Sequence, residues 1–143
     1  MKRHIALQPL SREHHNGLLL AQLLRNDIPD YAGMPFDDIG KAIYAKEQFS
    51  SILEPHFQKE EIIFQLSKEL SADVDLLINE VIAEHEVLKR LFNELNPSNT
   101  ASNQLHTIGW LLNDHIRKEE RILFPLLEQY CPAALMNQFR LLL

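Results

Sequence analysis

The sequence is poor in the residues that interrupt helices and in those that cross-link chains. Four glycines and seven prolines in 143 residues, with few β-branched alternations, argue against a strand-rich fold and favour long helices. The single cysteine, Cys131, excludes an internal disulfide and a thiolate metal cluster made by this chain alone, and it fits a reducing cytosol. Positive charge is in deficit: the formal net charge of −6 leaves no basic face for nucleic acid or an anionic membrane. No apolar run approaches the length that spans a bilayer. The basic start Met1-Lys2-Arg3-His4 meets Gln8 and Pro9 too soon to make a signal peptide. A cytoplasmic protein is expected, with neither nucleic acid nor membrane as partner. A Gly-rich phosphate loop, a Gly-x-Ser-x-Gly elbow and any Glu-x-x-His are also missing. His85-Glu86-Val87-Leu88-Lys89 starts like the zinc-protease motif but has lysine where its second histidine belongs.

What is present is ordinary for a globular chain: 45% hydrophobic and 24% charged residues, in a length that fits one domain, residues 1–143. Apolar residues recur at helical spacing in four long segments. The first helix is expected to start between Pro9 and Ser11, with Ser11 as N-cap, and to run to about Asp27. Residues 28–35, rich in proline and glycine, read as a connection. The second helix starts near Asp37 or Asp38 and runs to about Leu70, with Ala42, Ala45, Phe49, Ile52, Leu53, His56, Ile63, Leu66 and Leu70 facing inward. Pro55 predicts a kink or break just before it. Ser71 or Asp73 caps a third helix to about Leu95, with Val74, Ile78, Val81, Ile82, His85, Leu88 and Phe92 inward. Asn96-Pro97-Ser98-Asn99-Thr100 is a loop, and a fourth helix runs from about Ser102 to Glu128. The fold class expected is all-α, an up-down-up-down four-helix bundle over about 9–128. A short C-terminal helix, about 132–143, covers an open edge or forms a dimer surface, so monomer and homodimer both stay open.

The segment His115-Ile116-Arg117-Lys118-Glu119-Glu120 carries the chemistry. Histidine and glutamate four residues apart share one helix face. Here that face also holds Ile108, Leu111, Leu112, Ile122, Leu123 and Leu126. A carboxylate carried into such an interior is costly unless compensated, and a metal ion is the obvious compensation. The phrase occurs a second time as His56-Phe57-Gln58-Lys59-Glu60-Glu61. Each helix bears one histidine on its apolar face: His14 or His15, then His56 with Glu60, then His85, then His115 with Glu119. From His14 the face continues through Leu18, Ala21, Leu24 and Ile28, whereas from His15 it meets Gln22 and Asn26. His14 fits better, with His15 beside it as a donor to a ligand or at the surface. His4 reads as exposed and His106 as a surface or interhelical residue. Glu61 and Glu120 lie about a hundred degrees off the ligand face and read as solvated, or as alternative ligands in a distorted helix. Four imidazoles and two carboxylates suit iron or manganese and are too many for one tetrahedral zinc. They suit two ions that each glutamate can bridge.

The phrases Leu10-Ser11-Arg12-Glu13-His14, His56-Phe57-Gln58-Lys59-Glu60-Glu61, Glu84-His85-Glu86 and His115 to Pro125 resemble the hemerythrin-like family, the HHE cation-binding domain, over about residues 8–128. The resemblance implies a four-helix bundle with two non-haem iron ions, bridged by the carboxylates and by oxo or hydroxo. Manganese or zinc are substitutes. It implies His14, His56, Glu60, His85, His115 and Glu119 as the ligands, and a small diatomic ligand or peroxide as partner. Family members carry or sense oxygen, respond to nitric oxide, take part in iron–sulfur repair or sense iron. Oxygen carriers have a second histidine one turn after the third-helix ligand, where this chain has Lys89. The fourth helix supplies glutamate where those carriers have aspartate. The set is closer to that of repair-type proteins, whose extra N-terminal segment with paired cysteines is not expected here. The resulting expectation is an iron protein that binds or senses oxygen, nitric oxide or peroxide, more a binding protein than an enzyme. Iron storage or delivery, including donation for iron–sulfur repair, and a structural metal bundle are the alternatives.

Overall fold

In the computed structural model, residues 2–29 and 32–143 are described; Asp30 and Tyr31, inside the expected first connection, lie outside them. The described residues are helical with no strand. Helix α1 is Gln8–Leu24. It starts before Ser11, because Pro9 sits in the first turn, where its fixed φ suits a helix and its missing N–H costs nothing. Ser11 is therefore inside the helix, not its cap. Helix α2 spans 38–66 and opens with Asp37 accepting the Gly40 N–H at 2.9 Å. It is α-helical over Asp38–Gln48, widens to a π-helix over Phe49–Leu53 and returns to α over Glu54–Leu66. The wide turn lies just ahead of Pro55. Proline cannot donate to the carbonyl four residues back, and the preceding turn relaxes to five-residue spacing, with the Glu54 N–H on Phe49 O.

Helix α3 is Ala72–Glu94; Ser71 is the residue before it, and its side chain makes no capping bond. Helix α4 spans 102–130 and repeats the device: α over Ser102–Lys118, π over Glu119–Leu123, then α over Phe124–Tyr130 with Pro125 at its start. This second wide turn was not expected. It adds one residue to the register, which turns the expected Ile122 and Leu126 toward the rim, buries Phe124 and Leu127 beside the expected Leu123, and leaves Ile122 50% exposed. Ile52, Leu66 and Leu111, also expected inside, lie at the rim and are exposed. Helix α5, Ala133–Leu142, buries Met136 and Phe139 and leaves Leu141 and Leu142 in solvent.

Two apolar layers show how the helices run. One joins the C-terminal half of α1 (Leu20 to Leu24), the N-terminal half of α2 (Ala42 to Phe57), the end of α3 (Leu88 to Leu95) and the start of α4 (Leu105 to Ile116). The other joins Leu7 and Leu10, Ile63 and Phe64, Val74 to Val81, Leu123 to Leu127, and Met136 and Phe139 of α5. Opposite ends of successive helices meet in each layer, so the four helices run up, down, up and down. Helix α5 packs Met136 and Phe139 into the second layer. Gly109 lets α1 and α4 close together, since a Cβ there would stand 2.7 Å from Ala21 O. No helix among the described residues is long and apolar enough to cross a membrane.

Candidate metal centre

Between the two layers, at mid-height, lies a polar stratum. His14, His56, Glu60, His85, His115 and Glu119 are all buried there, with Glu60 and Glu119 fully out of solvent. His15 points outward and is exposed, so the first helix contributes His14. His4 is exposed, and His106 accepts the Asn26 N–H at 3.0 Å across to the end of α1. Mid-helix placement explains the convergence: in antiparallel rods the central residues of all four meet at one level, between the layers formed by their ends.

The six residues form two overlapping groups, His14, His56, Glu60 and Glu119, and Glu60, His85, His115 and Glu119. Within each group, one donor atom per residue lies within 4.8 Å of all the others. Both carboxylates belong to both groups. Glu60 Oε2 lies 3.0 Å from His14 Nε2 and 3.1 Å from His56 Nε2, while its Oε1 lies 3.1 Å from His85 Nε2. Glu119 Oε1 is 3.2 Å from both His14 Nε2 and His115 Nε2. Yet Nε2 of His56, His85 and His115, Oε1 of Glu60 and both oxygens of Glu119 have no hydrogen-bond partner. Buried polar atoms are ordinarily satisfied. A cluster of nitrogen and oxygen lone pairs converging without partners is what a metal ion of intermediate hardness satisfies, so the residues present fit such an ion.

The outer nitrogen of each imidazole is held by a further glutamate. His56 Nδ1 donates to Glu13 at 2.8 Å, His85 Nδ1 to Glu61 at 2.9 Å, His115 Nδ1 to Glu84 at 2.7 Å and His14 Nδ1 to Glu120 at 2.7 Å. A carboxylate only accepts, so each Nδ1 carries a proton and each Nε2 faces inward, where its lone pair is available to a cation that displaces the second proton. The links close a ring, because each helix supplies the glutamate that holds the next helix's histidine. Glu61 and Glu120 are thus neither free in solvent nor members of the inner set, which corrects the sequence reading; Glu13 and Glu84 were missed. The signal was available. Glutamate precedes both lone histidines and follows both inner glutamates, about a hundred degrees off the buried face and toward the adjacent helix.

Electrostatics follow from packing charges into a dry layer. Burial would lower the imidazole pKa values, but the facing carboxylates outweigh it. Against that desolvation, the charge of the facing Glu60 and the bond to Glu13 carry His56 up to about 9. Against the same penalty, the facing carboxylates of Glu119, Glu60 and Glu61 carry His85 up to about 11. His14 and His115 are raised for the same reasons. Burial and the neighbouring Glu60 charge push Glu119 up, and His115 and His14 overcome both to hold it down at about 2. Glu13 is also lowered to about 2, chiefly by its bond to His56. Without metal, protons on the imidazoles balance the carboxylates; a cation would displace them.

A helical bundle with four inward imidazoles and two shared carboxylates at mid-height defines the class of bundle proteins that hold metal in their core. The chain belongs to the hemerythrin family: the family model described as the hemerythrin HHE cation binding domain matches residues 6–127. No curated protein and no solved structure gives a significant match to the chain.

Proposed function

We propose that this chain is a non-haem di-iron protein that binds or senses a small ligand, oxygen, nitric oxide or peroxide, at its four-histidine, two-glutamate centre. The observation that carries the reading is the pair of overlapping four-residue groups sharing Glu60 and Glu119, with donor atoms that nothing in the protein satisfies. His14 and His56 would hold one ion and His85 and His115 the other, with the two carboxylates common to both. Iron there supplies redox-active, ligand-accepting chemistry. The protein's part is to fix the imidazole tautomers through the outer glutamates, to exclude bulk water with the apolar layers, and to keep the donors in place. Phe57, stacked on His85 at 4.0 Å, and Phe124, stacked on His14 at 5.3 Å, wall the site.

The test is metal analysis and absorption spectroscopy on aerobically purified protein. Two irons per chain, with a spectrum that changes reversibly on adding and removing oxygen or nitric oxide, is the expected result. An intact fold with no bound metal overturns the reading. Rapid transfer of iron to a weak chelator, with no spectral response to gas, assigns the chain to iron delivery instead.

A further inference from the structure

The carboxylate ring is closed but not uniformly anchored. Glu13 is gripped at its second oxygen by Lys59 at 2.9 Å. Glu84 pairs with Lys118, which also reaches Glu80 at 3.0 Å. The two lysines occupy the same place in the repeated phrase, three residues after His56 and His115. Glu120 has the firmest hold. Arg3 donates to its Oε2 at 3.0 Å and to its backbone carbonyl at 2.7 Å, pairs with Glu128, and lies over the Phe124 ring. Among the described residues, no lysine or arginine pairs with Glu61. Its side chain is 37% exposed, more than that of any of the other three.

Solvent reaches the same side. A surface cleft lined by Phe49, Phe57, Glu61, His85 and Lys89 opens onto the Glu61–His85 bond. A groove between α3 and α4, lined by Val87, Leu88, Leu111 and Lys118, reaches Glu84 and His115. A carboxylate pinned at both oxygens has one usable rotamer. One pinned only by the imidazole it supports can swing into water and let the ring turn. Partners of this kind set metal affinity by factors of about 10–100.

We propose that the two metal positions are inequivalent and that Glu61 is the positioning residue of the weaker one, so that the ion of His85 and His115 enters last and leaves first through the Glu61 cleft. The inference rests on the two-ion reading above. It assigns exchange to one position and retention to the other, which Arg3 and Lys59 lock through Glu120 and Glu13.

The test uses the full chain loaded with cobalt(II), with release to excess EDTA followed by visible absorption and by metal count. Two phases of one ion each are expected, about tenfold or more apart in rate. Glu61→Ala should speed the fast phase about tenfold and leave the slow one alone. Glu61→Gln, which keeps an acceptor oxygen, should restore most of the native rate, and Arg3→Met should speed only the slow phase. His85→Ala should bind one ion and release it slowly. Two bound ions leaving in a single phase, or Glu61→Ala acting on the slow phase, overturns the inference while leaving the two-ion reading intact. One ion or none bound by the native chain overturns both.

Discussion

The polar stratum and the apolar layers above and below it are made from the same four helices, yet they are held by different physics. In the layers, residues such as Phe92, Ile78, Leu112 and Phe139 are shut away from water, and their stabilisation grows with the area removed from solvent. In the stratum, two full carboxylates are buried among imidazoles, where desolvation works against the fold and only protons or a cation offset it. The layers therefore carry the folding, and the stratum carries the chemistry. Variants should separate the two.

The largest effect on folding is expected from the layers. Phe92→Ala removes a ring stacked on Phe49 at 4.8 Å and should cost about 3–5 kcal/mol, read by denaturant unfolding, with metal stoichiometry unchanged in the folded fraction. Glu119→Ala should do the reverse. Because Glu119 belongs to both four-residue groups, metal affinity should fall at least ~100-fold, with little change in circular dichroism. A variant that lost both properties together would dissolve the distinction.

Acidity sharpens it further. In the metal-free chain the histidines have folded pKa values raised above the unfolded ~6.5. The stability they contribute is complete below that value and is lost as pH rises through about 9 for His56 and about 11 for His85. The Glu119 contribution has the opposite sense, present above its ordinary 4.5 and lost as pH falls through about 2. The melting temperature without metal should therefore decline between about pH 7 and 11. With metal bound the imidazoles are neutral ligands, so this alkaline decline should shrink and acid should strip the metal instead. Identical alkaline profiles with and without metal would count against these histidines as ligands.

Smaller effects test the frame that sets the stratum's height. Gly109→Ala drives a methyl toward Ala21 O and should cost about 1–3 kcal/mol by parting α1 from α4. Glu69, in the turn after α2, has φ 72°, a conformation that costs a side chain about 1 kcal/mol. Glu69→Gly should leave stability unchanged or raise it by up to ~1 kcal/mol, with no effect on metal; a fall in melting temperature would show that the turn gains more from the side chain than it loses in strain.

The sequence by itself determined the number of helices and the level at which their histidines and glutamates meet, and it favoured His14 over His15, a choice the structure made. Those follow from periodicities of 3.6 residues that any helix obeys. It also marked an irregularity before Pro55, expected as a kink or break and found as a wide turn, since a missing N–H must be accommodated locally. Only the tertiary structure decided that Pro125 has the same turn, that Ile122 is thereby rotated out and Phe124 in, and that Glu13, Glu61, Glu84 and Glu120 each serve a neighbouring helix. Those relations join residues as far apart in the chain as His14 and Glu120. Side chains a hundred degrees off a buried face look solvated until the next helix is in place, because what they bond to comes from another element.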